Sequence, residues 1–148
     1  MPWRYVQHLY VNRGELALRR ADVPSALRWA DECATAAQES RSPRNLVKAL
    51  RLRGAALAEQ GRFGEADAAF TRALVLAREV GNPFQIWRTL AASADARGAQ
   101  GLDDGAAAFA NEALVVVDAV ATSLGDAPLA ATLRMSAPVV ALRARTGA

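Results

Sequence analysis

The chain has 148 residues, of which 52% are apolar, 22% charged and 6% aromatic, which supports a sizeable core and excludes a disordered chain, whose apolar content is too low to offset the entropy of folding. Its 18 Lys+Arg against 15 Asp+Glu leave a net charge of +3. Lys48 is the sole lysine, so the basic pI near 9.7 comes from arginine; acids interleave with bases throughout, whereas a nucleic-acid binder gathers its bases on one face.

Thirty-five alanines, with only 10 Gly and 6 Pro as breakers, make an all-helical domain the expectation. At the amino terminus, Met1 to His8 carries no apolar signal-type core and no small-residue cleavage site. The first hairpin is expected over about residues 3–42, with Gly14, Ala26 and Cys33 at its helix contacts. Cys33 has no second thiol with which to pair, so a cytoplasmic chain is expected, with the thiol inert in the core.

Those three positions recur every 40 residues, as Gly54, Ala66 and Ala73, then as Ala94, Ala106 and Ala113. The second hairpin, 43–82, reads most clearly. Val47, Leu50, Gly54 and Leu57 form one helical stripe, Gly61 and Arg62 break the helix, and Phe63, Ala66, Phe70, Ala73 and Ala77 form a second stripe. Ser42 before Pro43, and Asn82 before Pro83, are expected N-caps followed by proline in the first turn. A glycine within a helix costs about 1 kcal/mol relative to alanine, so Gly54 predicts a close approach by the partner helix, with Phe63 and Phe70 filling the space that small residues leave.

The third hairpin, 83–125, has an expected loose turn from Gly98 to Gly105. Asp126 and Ser136, each two residues before a proline, predict two short capping helices in the tail 126–148. Asp118 and Asp126 interrupt the apolar region after Glu112, so no membrane span is expected.

The middle unit, Leu50 to Ala66 continuing to Phe70 and Ala73, resembles a tetratricopeptide repeat, although its period of 40 exceeds the family's 34. Ala30-Asp31-Glu32-Cys33, Arg78-Glu79-Val80-Gly81-Asn82-Pro83 with Ile86-Trp87-Arg88-Thr89, and Pro128-Leu129-Ala130-Ala131-Thr132-Leu133 resemble the carboxy-terminal sensor arm of large actinobacterial ATP-binding regulators of the LuxR type or linked to cyclases. The resemblance implies a single all-α domain: a right-handed superhelix of three hairpins with C-terminal capping helices. It also implies a bacterial regulatory arm that binds a protein or peptide and carries no catalysis of its own.

The residue types agree with a non-catalytic reading. Lys48 stands between Val47 and Ala49, outside any P-loop pattern, and there is no G-x-G-x-x-G. A single histidine, His8, cannot build a histidine-based metal centre, and no serine lies in a G-x-S-x-G turn. No catalytic residue, metal or cofactor is expected.

Surfaces remain. First helices of stacked hairpins line a concave face used for binding. The period aligns His8, Lys48 and Arg88 in one row and Glu15, Ala55 and Asp95 in another, while His8, Asn12, Glu15 and Arg19 share a stripe on the first helix and Arg51 lies one turn from Lys48. These eight polar residues form the expected groove, and its basic edge favours an acidic partner; Val11, Glu15, Leu52 and Ala92 do not match the carboxylate clamp known in this family. The alternative is a structural solenoid fragment that self-associates into a homodimer through its open ends, near Trp3. Tryptophans in such helices are expected at hairpin contacts, and Trp29 and Trp87 are placed there.

Overall fold

The computed structural model describes residues 2–147, and side-chain surroundings from Tyr5 to Gly147; the side chain of Trp3 lies outside the described residues. Among these residues there are eight helices and no strand: α1 (Pro2–Arg19), α2 (Val23–Glu39), α3 (Pro43–Glu59), α4 (Phe63–Val80), α5 (Pro83–Ala99), α6 (Asp103–Ser123), α7 (Ala127–Arg134) and α8 (Ala137–Arg145). They form two compact units, Met1–Val80 and Gly81–Ala148.

The turns account for the regularity. Ala21, Arg41, Gly61, Gly81 and Gly101 all have positive φ, between 51° and 75°, and they stand 20 residues apart. In four of these turns the next residue's N–H reaches back five positions: Asp22 to Ala17, Ser42 to Ala37, Arg62 to Leu57 and Leu102 to Arg97, at 2.8–3.0 Å. With the bond from the left-handed residue itself to the carbonyl three before, this is the Schellman closure, which satisfies carbonyls that the helix end would leave open. The turn after α5 is therefore as short as its predecessors, and the loose turn expected there does not exist: Gly98 belongs to α5 and Gly105 to α6.

The helix starts match the proline signals. Asn82 accepts the Gln85 N–H at 3.2 Å and Asp126 accepts that of Leu129 at 3.0 Å. Ser42 differs: its hydroxyl caps nothing, and toward the helix that follows only its backbone carbonyl engages, accepting the Leu46 N–H. The Ser136 hydroxyl is likewise diverted, donating to the Leu133 carbonyl at 2.6 Å.

In the first unit α3 packs on both α1 and α2 and on its own partner α4. Small residues set these distances. Val11, Cys33 and Ala49 form one three-helix cluster, and Ala17, Ala26 and Ala56 another. A Cβ built on Gly54 would stand 2.6–2.9 Å from the Phe70 ring, so the expected close approach is present. Gly14 performs the same service for Leu52.

One part of this core is polar. Gln7 is buried, donates to the Ala36 carbonyl at 3.2 Å and the Ser40 hydroxyl at 2.6 Å, and accepts from the Asn45 amide. These bonds join α1, α2 and α3, giving the Gln7 amide the partners that burial demands.

In the second unit α6 is central, touching α5, α7 and α8. The tail contributes Ala130, Val139 and Leu142 to the core, and Arg145 pairs with Asp95 of α5 at 2.9 Å. α6 has 21 residues and a mean hydropathy of 1.4 over its most apolar stretch, so by length and composition alone it is long and apolar enough to cross a membrane, contrary to the expectation from sequence. Alanine and valine supply that hydropathy, and the stripe Ala106, Ala110, Ala113, Val117 faces the core.

Candidate functional site

α3 presents two sides to the core, Asn45, Ala49, Leu52 and Ala56 toward the first hairpin and Leu50, Gly54 and Leu57 toward α4. What remains open between them is a narrow strip at i, i+4 and i+7: Arg44, Lys48 and Arg51. Arg44 is exposed, and Lys48 and Arg51 are half-buried. Burial pushes the Lys48 ammonium below its ordinary pKa, and the like charges of Arg51 and Arg44 push it further; Cys33 and Glu15 act in the opposite direction.

The first unit thus brings together Glu15, Lys48 and Arg51 from the expected groove, with His8 exposed on the adjoining helix. The sequence reading missed Arg44, although its four-residue spacing from Lys48 places it on that strip. Asn12 and Arg19 are exposed, but Asn12 stands at the repeat position of buried Leu52 and so faces outward from α1. Arg88 and Asp95 belong to the second unit. Arg88 is exposed with its guanidinium 5.8 Å from the Trp87 ring, while Asp95 is held by Arg145.

Cys33 is fully buried, and burial raises its thiol to about 11. Its sulfur lies 3.8 Å from the Gln7 carbonyl and 3.9 Å from that of Asn45, to which it donates weakly. A thiol so placed is protonated and shielded at neutral pH, the opposite of a nucleophile.

Of the two tryptophans with described surroundings, Trp87 is buried with no hydrogen-bond partner for its Nε1 among the described residues. Trp29 is half-buried at the α1–α2 contact, stacked on Tyr10 at 5.5 Å, with the Arg13 and Arg28 guanidiniums 5.0 and 5.1 Å from its ring. On the far side of α3 a cleft of about 430 Å³ runs between α2 and α4, floored by Leu46, Leu50 and Leu57 and bordered by the Arg53–Asp31 ion pair at 2.6 Å. Its rim charges are balanced, unlike the α3 strip. Among the described residues no three His, Cys, Asp or Glu side chains converge as metal ligands would. No protein-family model matches this chain, and no curated protein matches it.

Proposed function

We propose that the chain is a non-catalytic interaction module of the tetratricopeptide type, serving as a regulatory sensor arm, and that it binds an acidic protein segment along the strip Arg44, Lys48, Arg51. The observation that carries this reading is the gathering of three cations on one helix face, with Lys48 half-buried between two arginines. Burial first, and the neighbouring arginines second, disfavour the Lys48 ammonium; an acidic side chain laid there offsets both, and partial burial lessens the screening that makes fully exposed pairs weak. His8 and Glu15 at the border would set the orientation of the segment.

The 40-residue recurrence of Gly14 and Gly54, each in close contact with a large side chain, supports the repeat class. Amide chemical-shift mapping with a hexaglutamate peptide tests the reading. Shifts centred on Arg44, Lys48 and Arg51 are expected, falling as salt rises. Lys48→Glu with Arg51→Glu should weaken the peptide by about tenfold or more. Shifts of equal size with hexalysine, or hexaglutamate binding unchanged in the double variant, would refute it.

A further inference from the structure

α1 has a second apolar face with nothing over it among the described residues. Tyr5, Leu9 and Leu16 are 79%, 46% and 44% exposed, and their spacing places them with Asn12 on one stripe, opposite the buried side that carries Gln7, Val11 and Gly14. Forty residues on, the same positions are Asn45, Ala49, Leu52 and Ala56, none more than 8% exposed. There the cover is visible. Residues of α1 and α2 lie over that face of α3: Gln7 on Asn45, Val11 and Cys33 on Ala49, Gly14 on Leu52, Ala17 and Ala26 on Ala56.

The face that receives a helix in the second repeat is therefore bare in the first among the described residues, and at three of its four positions, Tyr5, Leu9 and Leu16, the side chain is larger and more apolar than the Asn45, Ala49 and Ala56 with which it aligns; Asn12, which aligns with Leu52, is the polar exception. Its borders are basic. Arg13 and Arg20 flank the stripe on one side and Arg19 on the other, all exposed, and none makes an ion pair among the described residues. A second copy docking through the same stripe would bring these arginines against their own counterparts.

We propose that the outward face of α1 is a docking site for an amphipathic helix of a partner protein, apolar along one stripe and acidic at its flanks. The helix lies along α1 as residues of α1 and α2 lie along α3, with apolar side chains against Tyr5, Leu9 and Leu16 and carboxylates reaching Arg13, Arg19 and Arg20. This site is separate from the α3 strip and stands whether or not that strip binds anything.

The experiment is calorimetric titration of the full chain with two synthetic helices of about 21 residues and equal leucine pattern, one flanked by glutamate and one by lysine. The glutamate probe is expected to bind at least about tenfold more tightly than the lysine probe, with affinity falling as salt rises. In the Lys48→Glu, Arg51→Glu chain, where the α3 strip takes no part, the glutamate probe should still bind; there Leu9→Glu with Leu16→Glu should abolish the binding and Leu9→Ser with Leu16→Ser should weaken it. The replaced leucines are solvent-exposed, so helical circular dichroism should be retained in those variants. Equal binding of the two probes, or full binding when Leu9→Glu and Leu16→Glu are added to that chain, overturns the proposal. So does sedimentation of the chain alone as a dimer that Leu9→Glu dissociates, which would assign the face to a second copy.

Discussion

Phe70 is buried against the bare backbone of Gly54, and neither residue is replaceable alone. Phe70→Ala leaves a ring-sized cavity between α3 and α4, with an expected cost of about 3–5 kcal/mol in denaturant titration. Gly54→Ala gains helix propensity, but its new methyl meets the ring at 2.6 Å, so a net loss of about 1–3 kcal/mol is expected. Combining Gly54→Ala with Phe70→Leu should recover part of that loss, and additive losses would show that the two sites are not coupled. This contact was readable in the sequence because a glycine inside a helical stripe weakens the helix unless close packing offsets the loss. The Gln7–Asn45 bond was not. An amide on a helix reads as solvated, and only the tertiary packing reveals that the two share a buried interface. Arg44 escaped for a related reason: the expected row followed the 40-residue period, while the basic strip follows the 3.6-residue turn of one helix.

At the scale of the helix, the starts were plain and the ends were half hidden. Pro43, Pro83, Pro128 and Pro138 announce their helices, and Gly61, Gly81 and Gly101 mark three of the left-handed corners. Ala21 and Arg41 occupy the same backbone conformation without glycine's freedom, so the 20-residue cadence is concealed in the first hairpin. A side chain in that region costs about 1–2 kcal/mol, offset in part by the greater chain entropy that glycine loses on folding. Arg41→Gly is therefore expected to stabilise the protein by about 0.5–1 kcal/mol, visible as a higher thermal midpoint, and Ala21→Gly to do the same. The converse change, Gly61→Val, should destabilise. A lower midpoint for Arg41→Gly would mean that the arginine makes a compensating contact.

Within the second unit the tail completes the core. α7 and α8 both lie on α6, Val139 is fully buried, and Arg145 reaches back to α5. Deleting everything from Asp126 onward uncovers the α6 stripe that ends at Val117, Val120 and Ala121. The expected outcome is aggregation or a large fall in thermal midpoint, read by light scattering and calorimetry. A truncated chain that stayed monomeric and equally stable would make the tail an appendage. The two capping starts at Asp126 and Ser136 could be read from sequence, whereas the return of Arg145 to Asp95 spans 50 residues and leaves no local pattern.

The evenly spaced left-handed corners also govern how such a chain can change length. Losing one residue inside a helix swings every later side chain of that helix by about 100°, so its core stripe meets solvent until the next corner restores the phase. Between Ala21 and Gly101, length variation should therefore be tolerated in whole hairpins or at the corners themselves. The interval of 20 residues acts as a unit of construction that single insertions and deletions cannot subdivide.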